Sequence, residues 1–217
     1  MKQCIFNFDS GDNVFLTSDS HFSHSNIITF CNRPFASVEE MDQTLMDNWN
    51  KVVGPNDYIF HLGDFCFKGS QRWDELLNQL NGHKFLILGN HDMSRIKDGA
   101  MYKFDWVGMQ AYLTIEGRTI YLNHYPFLCY GGTYRSEENA VIQAFGHVHS
   151  CIGSTGKDYE RLKYLFPTQY DVGVDANNFT PISITDLITK VKEQITHNIN
   201  QYYWLKDIEN AKNKKEV

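Results

Sequence analysis

The 217-residue chain has no C-x-x-C pair, and its five cysteines (Cys4, Cys31, Cys66, Cys129 and Cys151) are odd in number. That pattern argues against a disulfide framework and a structural zinc knuckle, and favours a reducing compartment. No apolar run approaches the ~18 residues of a membrane span, and the first nine residues lack the basic start and apolar stretch of a signal peptide. A cytoplasmic protein with no membrane partner is expected. Positive charge is not in excess either. Twenty Lys and Arg against 26 Asp and Glu leave a formal charge of −6, a poor balance for gripping duplex nucleic acid. Repeats are absent, and so is a G-x-S-x-G elbow, which argues against a serine hydrolase. What is there is 42% hydrophobic and 14% aromatic, enough to exclude disorder and demand a packed core. The length predicts one domain over residues 1–209, with a charged tail at 210–217.

Short apolar runs recur, and several stop abruptly at a polar cluster. Val14-Phe15-Leu16 leads into Thr-Ser-Asp-Ser-His, Tyr58-Ile59-Phe60 into His-Leu-Gly-Asp, and Phe85 to Leu88 into Gly-Asn-His-Asp. Ile120-Tyr121-Leu122 leads into Asn-His, and residues 141–145 into Gly-His-Val-His. Runs of this length bounded by Gly, Asn and Asp predict buried strands. A capping box at Ser37 and Glu40 opens a helix over 37–53 with Val38, Met41, Leu45, Trp49 and Val52 on one stripe. A second helix is expected over 70–81 ending at Gly82, a hairpin over 111–123 turning at Glu116-Gly117, a strand at 170–174, and a long amphipathic helix over 183–205. The fold class is α/β.

Each polar cluster is weak evidence alone. Together they deliver Asp, Asn or His at the same end of five apolar runs, and five of the nine histidines lie in them. Binding crevices in α/β folds form at such strand ends. Imidazole, carboxylate and amide oxygen without thiolate suit Mn, Fe, Co, Ni or Zn better than Ca. The inventory is too large for one ion with an open position and fits a pair, of the kind that can stabilise an in-line displacement at phosphorus, and so points to metal-assisted hydrolysis.

The ordered set Asp19-Ser20-His21, Gly63-Asp64, Gly89-Asn90-His91-Asp92, His124 and Gly146-His147-Val148-His149 resembles the calcineurin-like metallophosphoesterase superfamily. Residues Thr17 to Asn26, Arg33-Pro34-Phe35 and Asp171 to Asp175 look like its small single-domain members from bacteria and bacteriophages. The resemblance implies a two-sheet β-sandwich flanked by helices, with two divalent metal ions at one edge, Mn being the first expectation. It assigns Asp19, His21 and His149 to one ion, Asn90, His124 and His147 to the other, and Asp64 to both. His91 then contacts a phosphate oxygen or protonates the leaving alkoxide, with Asp92 orienting its ring.

Outside the motifs, His24, Asn26, Arg33 and Arg135 are candidate substrate contacts, as is Arg95, because a guanidinium suits phosphate. His61 is expected beneath the Asp64 turn. The expected function is hydrolysis of a small or nucleotide-like phosphodiester by a metal-bridging hydroxide. The alternatives are a phosphomonoesterase of the same fold and a non-catalytic metal-binding scaffold, although the latter typically loses the histidine at position 91.

Overall fold

A computed structural model describes residues 4–94, 101–115, 117–149 and 159–202. Side chains that alternate along the strands decide the layers. In β2 (Val14–Thr17), β3 (Tyr58–His61) and β4 (His83–Ile87), Leu16, Phe60 and Ile87 face one way, whereas Phe15, Ile59 and Leu86 face the other. The first set joins Leu113, Ile120, Leu122 and Ile142 of a second sheet in one apolar layer. The second set packs on helices α2 (Val38–Val52) and α3 (Ser70–Gln79) through Met41, Leu45, Trp49, Trp73 and Leu76. The result is helix on sheet on sheet, an α/β sandwich.

Each sheet has five strands among the described residues. One runs β10 (Ile182–Ser183), β2, β3, β4, β5 (Trp106–Gly108), with β2 to β5 parallel and β10 antiparallel. The other runs β1 (Ile5–Phe8), β6 (Gln110–Ile115), β7 (Arg118–Asn123), β8 (Ile142–Phe145), β9 (Gln169–Asp171), and only β6 with β7 is antiparallel. Register sets Leu16 beside Phe60 and Phe60 beside Phe85, whose rings stack at 4.6 Å. Helix α4 (Ile184–His197) packs on β2, β9 and β10 and so ties the two sheets together. Near the first polar cluster lies the short α1 (Ser25–Phe30).

The predicted capping box forms with one change. Ser37 Oγ accepts from Glu40 N–H, but the Glu40 carboxylate reaches the N–H of Ala36 rather than that of Ser37. Three predicted elements are shorter in the structure. Helix α3 ends at Gln79 because Leu80 turns extended, and Gly82, at φ 90°, serves the turn into β4. Strand β9 stops at Asp171, since Gly173 opens a 3-10 turn over Val174–Ala176. Helix α4 stops at His197, where Asn198 adopts the left-handed conformation. Residues 203–205 of that predicted helix, Glu116 of the hairpin, Arg95, Cys151 and the 210–217 tail lie outside the described residues.

Candidate metal centre

Parallel strands β2, β3 and β4 of one sheet, and β7 and β8 of the other, end at a common seam. The chain leaves them through Asp19 and His21, Asp64, Asn90 and His91, His124, and His147 and His149, respectively. Backbone pairing continues past the strands: Asp19 N–H donates to Gly63 C=O at 2.9 Å and His21 N–H to Asp64 C=O at 3.0 Å. Asp19, His21, Asp64, His147 and His149 all sit at positive φ, between 45° and 73°. Non-glycine residues there cost on the order of 1 kcal/mol each or more, so the surrounding structure must hold them. Two glycines permit the crowding. A Cβ on Gly89 would strike Asp64 Oδ1, and one on Gly146 would strike Ser18 Oγ and Asp19 Oδ2.

The side chains converge on two points. Asp19, His21 and His149 each bring a donor atom within 4.8 Å of the others, and so do Asp19, Asp64 and His124. Asp64 Oδ2 lies 3.6, 3.7 and 3.9 Å from the Nε2 atoms of His21, His124 and His91. Asp19 Oδ1 stands 3.8 Å from His149 Nε2 and 4.0 Å from His21 Nε2. These gaps are too long for hydrogen bonds and close to the ~3.4 Å separating two donors of one tetrahedral ion with ~2.1 Å bonds. Asp19 Oδ1 and His21 Nε2 are buried without a hydrogen-bond partner, a costly state that a shared cation relieves. His124 makes the same point by chemistry. Its Nδ1 lies 2.7 Å from the Leu62 carbonyl, which takes the one proton of a neutral ring. Nε2 and Asn90 Oδ1 then face each other at 3.0 Å as two acceptors. A cation between them would satisfy both.

Outer contacts fix how the imidazoles point. Nδ1 of His149 is 2.8 Å from Asp175 Oδ2, and Arg33 grips that carboxylate through Nε at 2.8 Å and Nη2 at 2.9 Å. Arg33 also donates to the carbonyls of Asp19 and Ser20. One buried guanidinium therefore ties the first motif to the last. His24 Nδ1 is 3.2 Å from His21 Nδ1, and its ring stacks on Phe67 at 3.7 Å. An ion on His21 Nε2 leaves Nδ1 as a donor and His24 as its acceptor. Beneath the Asp64 turn, His61 Nδ1 accepts from Gly63 N–H while its Nε2 meets Ser20 Oγ at 2.9 Å. His147 donates its backbone N–H to Asp19 Oδ2, and its ring centre lies 5.0 Å from that of His124.

Residues 13–216 match the family model for calcineurin-like phosphoesterases. The chain belongs to that family. It is 33% identical over 193 residues to an uncharacterized protein of Methanocaldococcus jannaschii, MJ1445, covering 86% of this chain and 96% of the relative. Gene 66 protein of Mycobacterium phage L5 is 27% identical over 211 residues, covering 84% and 97%. Among solved structures, a protein of unknown function from Aquifex aeolicus, AQ665, superposes with a TM-score of 0.60 at 25% identity, over 82% of this chain and 99% of that one. The protein is thus a metal-dependent phosphoesterase.

Charge in the metal-free phosphoesterase is arranged for cations. Burial and the nearby Asp19 carboxylate push Asp64 up to about 7, which a cation at the site would reverse. Burial, then the neighbouring His149 and Arg33, hold His21 well below its ordinary value, as a neutral ring with a lone pair. Burial opposes charge on His149, but its bonds to Asp175 and Cys31 outweigh that and raise it. Cation uptake must therefore displace protons.

Two assignments are corrected by the geometry. Arg33 is buried and committed to Asp175 and two carbonyls, so it is not a phosphate contact. Asp92 does not orient His91: its oxygens accept from the N–H groups of Asp64, Phe65 and Gly89, which clamps the Asp64 turn. His91 itself is half exposed beside Asp64. Asn26, in the first turn of α1, and Arg135, in the loop before β8, are exposed and bond to no residue of the cluster. Asp175 was missed as a functional residue; its signal was a carboxylate two residues past Gly173 at the end of an apolar run.

Asp175→Asn removes the charge that holds His149 and Arg33. It should weaken Mn²⁺ binding by about tenfold or more in isothermal titration. His61 gives a pH test. Burial lowers its pKa from 6.5 to about 3, so between those values the unfolded chain holds the extra proton, and acid removes up to about 1.4 kcal/mol per pH unit. Asp64, raised to about 7, acts with opposite sign and is common to wild type and variant. In metal-free urea unfolding, the stability advantage of wild type over His61→Gln should shrink as pH falls from about 6.5 to 4; a constant advantage would refute the assignment.

Proposed function

We propose that the protein hydrolyses small phosphodiesters, nucleotide-like ones among them, at a dinuclear centre that takes Mn²⁺ first and Fe, Ni, Co or Zn as alternatives. The observation that carries this is Asp64 Oδ2 facing three imidazoles at 3.6–3.9 Å beside the orphaned Asp19 Oδ1 and His21 Nε2. When bound, the ion pair supplies Lewis acidity and a water that loses its proton at neutral pH. Asp19, His21 and His149 would hold one ion, Asn90, His124 and His147 the other, and Asp64 both. The chain's own part is to fix these donors, to keep the ring protons on Nδ1, and to present His91. With its side chain about half exposed, His91 can reach a phosphoryl oxygen or the departing alkoxide.

A diester monoanion is favoured over a monoester dianion because Arg33, the expected phosphate clamp, is committed to Asp175. The formal charge of −6 does not favour duplex nucleic acid as substrate. A cytoplasmic setting is our reading of Cys4, Cys31, Cys66 and Cys129, which remain thiols. Among the described residues no helix is long and apolar enough to cross a membrane.

The test compares metal-stripped and Mn²⁺-loaded protein on bis-p-nitrophenyl phosphate and p-nitrophenyl phosphate. Diester turnover should require metal and vanish in Asp64→Asn, whose metal content also falls. Preference for the monoester would make the protein a phosphatase, and two bound ions with no turnover would favour the scaffold. His91→Ala should retain both ions by elemental analysis while losing about 10²-fold in kcat, most with poor leaving groups; undiminished turnover would strip His91 of its role.

A further inference from the structure

Three of the nine large apolar side chains exposed on the described surface line one cleft: Tyr125, Leu128 and Tyr164. Its volume is about 610 Å³, within the ~300–1,000 Å³ range of small-molecule sites. Phe127, Leu162 and Arg161 also line it, as does His147, a candidate metal ligand. The cleft therefore opens onto the proposed metal centre. Tyr125 stands at the junction, its ring edge-on to His124 at 4.9 Å and to His147 at 4.6 Å.

The wall is built, not incidental. Gln143 of β8 and Gln169 of β9 are buried, at 0% and 1% exposure, and both hold the loop that forms it. Gln143 accepts from Phe127 N–H at 3.0 Å and donates to the Tyr125 carbonyl at 2.9 Å. Gln169 donates to the Phe127 carbonyl at 2.9 Å and to Gln143 Oε1 at 2.6 Å. Two fully buried amides thus fix a loop that keeps Tyr125 and Leu128 exposed. Such an arrangement suits recognition.

The geometry points to this cleft as the seat of a nucleobase, carried on a diester whose phosphate sits on the metal side. This rests on the phosphodiesterase reading above. Flat rings of Tyr125, Phe127 and Tyr164 offer stacking faces that every base can use. An acyl chain has no π-face to set against them.

Two p-nitrophenyl diesters share one leaving group and differ in the other arm: the thymidine 5′-phosphate ester and the methyl phosphate ester. Wild-type protein with Mn²⁺ should show a KM at least about tenfold lower for the thymidine ester. In Leu128→Ala/Tyr164→Ala, two exposed positions, the ratio of kcat/KM between the esters should fall about tenfold; a merely structural defect would lower both alike. Binding of thymidine 5′-phosphate, measured by titration against inorganic phosphate, gives a readout without turnover. It should exceed phosphate binding in wild type and lose that excess in the variant. If neither ester is hydrolysed but this excess is present and lost, the phosphodiesterase reading fails and the cleft stands. Equal KM values for the two esters, an unmoved ratio, or thymidine 5′-phosphate binding no tighter than phosphate overturns the nucleobase site.

Discussion

Two carboxylates, Asp19 and Asp64, are buried at the seam of the sheets, and among the described residues no Lys or Arg side chain bonds to either carboxylate. Like charges in a medium less polarisable than water repel by several kcal/mol at such range. The protein could avoid this by turning either side chain to solvent, and it does the reverse. Backbone bonds, five left-handed residues and two glycines that admit oxygen atoms all keep the pair inward. Asp64 answers in the metal-free state by taking a proton near neutrality. Holding a repulsive pair in place is a sensible expenditure of stability only where cations resolve it.

Much of the remaining architecture follows from that demand. Neither sheet alone can surround cations at the seam, because the ends of β2, β3 and β4 supply candidate donors from one side only; β7 and β8 complete the set from the other. The sandwich must then be kept in register at its seam. Arg33 does this across 142 residues of sequence, joining the Asp19–Ser20 backbone to Asp175 and through it to His149. Asp92 does it for the third motif by holding the backbone of Asp64 and Phe65. Both charged side chains act on the centre by positioning, and both lie too deep to meet a substrate.

How much of this could be read from the chain depends on range. Strands β2, β3, β4, β7 and β8 were legible because each is an apolar run cut off by Gly, Asn or Asp, and the clusters were legible because they share those ends. Short edge strands such as β5 and β10, of three and two residues, carry too little pattern to stand out. The end of α4 depends on a single left-handed Asn198 inside an otherwise helical stripe. Side-chain direction was the least legible. Nothing local tells whether Arg33 turns outward to an anion or inward to Asp175, and the tight turn from Gly89 to Asp92 sends that carboxylate to backbone N–H groups and not to the adjacent ring. His24 differs in kind: its distance to His21 gives it a partner inside the centre, so its place there follows from three-dimensional contact that spacing alone left open.

Rigidity at the seam also bears on how chemistry and selection divide. Strand β8 runs into His147 and His149 at its end and carries Gln143 along its length, so the same element leads to candidate ligands and anchors the aromatic loop. Displacement of that strand would move both together. The exposed Leu128 and Tyr164, by contrast, can vary without disturbing the donors, whereas Tyr125 rests against His124 and His147. Such a separation keeps the donor geometry in buried polar contacts and leaves the surface beside it free to change. Here the buried glutamines are the join between the two, because they couple a wall in water to a strand that the metal centre already requires to be fixed.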